Sequence, residues 1–275
     1  MRVRRTLGWL LTLCGALALL IAAYYIFDYV RERQALVEFL DQRVAGLPEA
    51  SDIALVDDLV AYMGRLPDGE TTHRMGYANP LYAFLKARPI DVLRNGGFCG
   101  NKARLLVTLF HLRGIPSRVN YVYNVEGWNR PELGQPYVTA FVEVRLEDRW
   151  AVIDPYIAVL FRRADGSPAT AADLAADPEL IRMRAPKWYK PELFNFREIR
   201  GIRWGKFPAG EQVRTRLAAI TSDAFVNELR YPFWAHRPNL LIALTTGLVG
   251  AAALVFGRGL LRGGAARASR AAAAT

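Results

Sequence analysis

Two uncharged apolar runs frame the chain. From Leu7 to Phe27, and again from Asn239 to Gly257, no Asp, Glu, Lys, Arg or His interrupts the sequence. Each run is about the 20 residues a helix needs to cross a bilayer core. Beyond the first, Val37, Leu40 and Val44 recur at helical spacing and predict that the helix continues through Asp28-Tyr29-Val30 to about Val44. Gly46-Leu47-Pro48 ends it, which would set the following domain on a short stalk. Ser51 is placed to cap a second helix that buries Ile53, Val56, Leu59, Val60 and Met63. Gly64 to Ala78 reads as a loop, and Asn79-Pro80 as the start of a helix carrying Leu81, Phe84 and Leu85. Ile90 to Leu93 leads to a glycine turn at Gly96-Gly97, followed by a helix from about Phe98 to Arg113 with Leu105, Leu106, Leu109 and Phe110 inward; Gly114 stops it.

The period then changes. Ser117 to Tyr123 has strand composition, Tyr137 to Leu146 alternates, and Glu147-Asp148 turns the chain into Arg149 to Ile153. The expected class is α+β, a helix packed on an antiparallel sheet. Asn124 to Pro136 is a polar loop from which Trp128 would overhang a cleft. Tyr156 to Gly210 is mixed, with short helices predicted at Ala171 to Leu174 and Glu179 to Met183. Glu211 to Leu229 reads as one helix returning the chain to Tyr231-Pro232-Phe233-Trp234, aromatics suited to a membrane interface. The Ala/Arg-rich tail from Gly263 predicts disorder. No internal repeat is present.

A net charge of +10 over 275 residues suggests nucleic acid until the arginines are located. Arg2, Arg4 and Arg5 precede the first run and Arg258, Arg262, Arg267 and Arg270 follow the second; without these seven the remainder carries only +3. Neither flank holds Asp or Glu. The flanks are topology signals: both termini cytoplasmic, the intervening domain exported. A cleavable signal is disfavoured, because Tyr24-Tyr25-Ile26-Phe27-Asp28 offers no small-x-small cleavage site. Leu13 before Cys14 is too bulky for a lipoprotein signal, so Cys14 reads as a helix-packing or lipid-facing residue that does not pair with Cys99. Gly247 to Ala253 forms a small-residue face for close helix packing, against the first span or against a membrane partner. Metal-ligand spacings, phosphate-binding loops and nucleic-acid motifs are absent from the sequence, and no cofactor is expected.

The chemistry concentrates at Cys99. A cysteine just after a glycine turn and just before an amphipathic run sits at a helix N-terminus, where free amides and the macrodipole favour the thiolate. Lys102, one turn on, would add to this. The alternative is a buried small hydrophobe. Together with Gly114-Ile115-Pro116-Ser117-Arg118, Thr139-Ala140-Phe141-Val142-Glu143-Val144 and Trp150-Ala151-Val152-Ile153-Asp154-Pro155, this segment resembles the transglutaminase-like cysteine protease superfamily over residues 80–158. The resemblance implies a papain-like fold whose catalytic cysteine, histidine and aspartate fall at Cys99, Thr139 and Asp154. One position departs from the pattern, since Thr139 stands where the histidine belongs.

Threonine neither accepts nor releases a proton usefully near neutrality, and general acid–base help contributes about 10²–10⁴ in rate. Three histidines could compensate. His111 is 12 residues along the same helix as Cys99, about 18 Å away at about 1.5 Å per residue. His236 abuts the second span, which leaves His73, in a loop that could fold over the cleft. Asp154, without an imidazole, is expected to make a structural hydrogen bond to Thr139, and Arg118 to pair with Glu143. The organisation expected is therefore a basic terminus (1–6), a first span (7–27), a periplasmic domain (28–237), a second span (238–257) and a basic cytoplasmic tail (258–275) in a bacterial inner membrane. Three functions remain open: a degenerate domain that binds a peptide, glycan or protein partner in cell-envelope assembly or secretion; a thiol acyltransferase or peptidase with a non-standard base; and a structural membrane anchor.

Overall fold

In the computed structural model, residues 2–49, 51–68, 87–124, 129–130, 135–136, 138–187, 189, 194–206, 209–231 and 236–272 are described. The chain folds as two units, 1–34 with 237–275, and 35–236.

The first unit consists of most of helix α1 (Arg2–Ala45) and the C-terminal helix. Each contains a segment long and apolar enough to cross a membrane. They pack through small residues at heptad spacing. A Cβ on Gly15 would lie 2.8 Å from the Gly250 carbonyl oxygen, one on Gly257 2.8 Å from that of Gly8, and one on Gly247 3.7 Å from Ala22 Cβ. Backbones this close exclude side chains. The predicted small face therefore meets the first apolar helix. Trp9, Leu13, Leu17, Leu20 and Phe27, with Leu248, Val255 and Phe256, point outward. At the charged end of the pair, Asn239 Nδ2 donates to the buried Glu32 carboxylate at 3.1 Å.

The second unit holds α2 (Asp52–Arg65), α3 (Pro89–Asn95), α4 (Cys99–Leu112), strands β1 (Ser117–Asn124), β2 (Asn129–Arg130), β3 (Gln135–Pro136), β4 (Val138–Leu146), β5 (Arg149–Asp154) and β6 (Val159–Leu160), helices α5 (Ala171–Ala176) and α6 (Glu179–Arg182), strand β7 (Phe194–Arg200), and helices α7 (Gly210–Ile220) and α8 (Asp223–Glu228); α9 (Pro238–Ala272) follows. The main sheet has the order β6-β5-β4-β1-β7, and its paired strands run antiparallel. The alternation read in β4 divides two cores. Ala140, Val142 and Val144 face α4 and, with Tyr121 and Ile153, join Leu59, Met63, Leu106 and Phe110. Phe141 faces the other side with Val122, Val152, Leu174, Ile181, Tyr189 and Phe196. Helix α4 is covered around most of its circumference, so Lys102 and Arg104 are buried along with its leucines.

Several expectations are met. Ser51 Oγ accepts from the Ala54 amide, and α4, β1, β4 and β5 lie within a residue or two of their predicted bounds. Others are corrected. Residues 211–229 form two helices, because Ser222 Oγ accepts from the Phe225 amide and caps a new start. The tail past Gly263 stays helical to Ala272, since alanine's intrinsic preference extends a helix already begun in the apolar segment. Pro89–Asn95 is a helix, and Phe194–Arg200 is an edge strand that the mixed composition of that region did not indicate. The helix expected from Asn79-Pro80 lies outside the described residues.

Candidate functional site

Cys99 is the first residue of α4, as the glycine turn predicts. Gly96, at φ 76°, carries the chain past Pro67; any Cβ there would lie 2.1 Å from the Pro67 carbonyl oxygen, which instead accepts from the Gly97 amide at 3.1 Å. Phe98 precedes the helix without a side-chain cap, and its carbonyl accepts from the Asn101 and Lys102 amides. The sulfur is half-buried and receives hydrogen bonds from the backbone amides of Ala140, on β4, and Gly100. Even so, burial pushes the thiol above the ordinary cysteine value, and the Asp154 carboxylate pushes the same way. The expectation of a stabilised thiolate is thus reversed: desolvation outweighs the donors at the helix terminus.

Lys102 does not direct its charge at the sulfur. Its buried Nζ donates to the Leu66 carbonyl at 3.1 Å and lies 3.6 Å from Asp68 Oδ1. Burial pulls this amine below the ordinary lysine range, opposed by Asp68, Asp154 and Cys99.

Asp154 ends β5 with no exposure. Oδ1 accepts from the Tyr156 and Ile157 amides at 2.8 and 3.3 Å, and Oδ2 accepts from the Tyr189 hydroxyl at 2.6 Å. Burial holds its carboxyl above the usual range against the pull of those donors and of Lys102. Its expected bond to Thr139 is not made. Thr139 is buried on β4, and its Oγ1 has no hydrogen-bond partner among the described residues. Tyr189, a member of the core on the Phe141 side of the sheet, is the side-chain donor to Asp154 among the described residues.

Two of the other histidines are engaged elsewhere. His111 Nε2 lies 2.9 Å from the Ser117 carbonyl at the far end of α4, and His236 stacks edge-on to Tyr231. His73 and Trp128 lie outside the described residues. Arg118 pairs with Glu143 as expected, Nε to Oε2 at 2.6 Å, with its guanidinium 4.4 Å over the Trp150 ring. Asn120 also donates to Glu143. Sequence reasoning missed Tyr189, 35 residues past Asp154 and outside any motif. It also missed Arg104 and Tyr121 beside the thiol; burial pushes the Tyr121 phenol up to about 12. Among the described residues no cluster of three His, Cys, Asp or Glu side chains could hold a metal.

No curated protein and no solved structure matches the chain. Residues 69–155 match the family model of the transglutaminase-like superfamily. That match spans α4 and its cysteine, the β1, β4 and β5 ladder and Asp154, so the chain carries a transglutaminase-like domain between two apolar flanking helices.

Proposed function

We propose that this protein is a catalytically degenerate transglutaminase-like domain, anchored in a bacterial inner membrane and exposed to the periplasm, where it binds a peptide, glycan or protein partner as an accessory subunit of envelope assembly or secretion. Anchoring is supported by two helices whose outward faces are apolar, and the orientation by outer flanks that carry seven arginines and neither Asp nor Glu. Degeneracy is supported above all by Asp154: the carboxylate that would orient a base is already capped by Tyr189 and two backbone amides. The neighbouring thiol is held in its protonated form. The test is complementation of a deletion strain by Cys99→Ala and Cys99→Ser. Both variants should restore function; loss of function with the protein folded and abundant would falsify the reading.

One observation favours a second reading, thiol-dependent acyl transfer. Lys102 is a buried amine one turn from Cys99 with its pKa pulled down, and such an amine is able to carry a proton. On that reading Lys102→Met abolishes activity and Thr139→His changes the rate strongly. If neither variant alters function, the proton-transfer reading fails.

A further inference from the structure

The α7–α8 hairpin carries an apolar stripe of a kind that a folded domain normally turns inward. Val213, Leu217 and Ile220 recur along α7 at helical spacing. Val213 is 46%, Ile220 78% and Phe225 of α8 53% exposed. The inward side of α7 is otherwise engaged: Arg214 reaches to α8 and donates to Asp223 Oδ1 at 2.8 Å. Arg216 is exposed and flanks the stripe. Leu217 between them is half-buried, and large apolar side chains exposed together on one hairpin mark a partner surface.

We propose that this stripe rests in the headgroup region of the bilayer that the apolar helices cross, with Arg216 against anionic lipid. The inference depends on the membrane reading above. Helix α8 ends at Glu228 and α9 begins at Pro238, and the nine residues between them span at most about 30 Å. The hairpin is therefore tethered to the membrane segment by a short chain. That chain contains Tyr231, Phe233 and Trp234, residue types that favour the interface. Apolar side chains beside an arginine fit a surface whose acyl boundary is apolar and whose phosphates are negative.

The experiment uses the full chain with Cys14→Ser and Cys99→Ser, reconstituted in phosphatidylglycerol-containing vesicles. An environment-sensitive fluorophore is attached at Ile220→Cys or, as a second reporter, Phe225→Cys. Arg197→Cys, exposed on β7, is the water control, and Leu248→Cys, exposed on α9, the membrane control. Expected are blue-shifted emission at 220 and 225 and at least about twofold quenching by doxyl-labelled lipid, with position 197 unquenched. Water-like emission at both positions, with 248 quenched, overturns this proposal and leaves the anchoring intact. Blue-shifted but unquenched emission means that protein covers the stripe, which also overturns it. An unquenched 248 overturns the membrane reading and this proposal together.

Discussion

Replacing Tyr189 with Phe removes one oxygen and keeps the ring, which packs on Phe194 at a centroid distance of 5.2 Å. That oxygen donates at 2.6 Å to a carboxylate with no exposure to water. A hydrogen bond to a charged group contributes about 1.5–3 kcal/mol, and Asp154 would retain its two Oδ1 donors. The expected loss is about 2 kcal/mol, or about 4–8 °C in Tm for a domain of this size. Thr139→His alone should bring little, because its partner carboxylate is occupied. In Tyr189→Phe/Thr139→His the carboxylate is released to orient the imidazole. The double variant should be more stable than the sum of the singles by about 1 kcal/mol, and it alone should bring the Cys99 titration below the ordinary value of about 8.5. Thermal unfolding followed by tryptophan fluorescence, and iodoacetamide alkylation against pH in a Cys14→Ser background, read the two effects. A Tm for Tyr189→Phe within about 1 °C of the parent, or additivity of the pair within about 0.5 kcal/mol, would refute the idea that Tyr189 occupies the imidazole's place.

Asp154→Asn removes a carboxylate that pushes the thiol up, so the Cys99 alkylation midpoint should fall; an unchanged midpoint contradicts the electrostatic account. The sign for stability follows from the raised carboxyl: the native state holds its proton more tightly than the unfolded chain, so this contribution is full below about pH 3.9 and is lost as pH rises through the folded value. Denaturant unfolding should accordingly show Asp154→Asn gaining on the parent as pH rises above about 4. In the apolar helix pair, even Gly15→Ala places a Cβ 2.8 Å from the Gly250 carbonyl oxygen and should cost about 1–3 kcal/mol; a neutral result in an SDS unfolding titration argues against this packing. Arg118→Ala leaves Glu143 buried with Asn120 on β1 still donating to it and should destabilise by about 3 kcal/mol, with Glu143→Gln recovering part of the loss; a cost below about 1 kcal/mol would mean the pair is solvated.

Legibility followed the range of the signal. The α4 helix, its glycine turn and the β1, β4 and β5 ladder were readable because each depends on residues within a few positions of one another. The Arg118–Glu143 pair was readable from strand alternation, since both residues sit on one face and Arg118 lies opposite Glu143 in the β1–β4 register. Strand β7 was not, because its apolar positions make sense only against β1, some 70 residues earlier in the chain. The break at Ser222 was within reach of capping rules, yet the continuous helical pattern of residues 211–229 outweighed one serine.

By itself the sequence determined two membrane-length apolar segments, the signs of their flanks, an α+β core and a cysteine at a helix start. All of these are local or periodic properties of the chain. Only the tertiary structure decided the state of the site, because burial and partner choice are set by groups distant in sequence. The same cysteine that a helix terminus would ionise is kept as a thiol by desolvation and by Asp154, 55 residues away. The same aspartate that an imidazole would engage is held by a tyrosine from the opposite core.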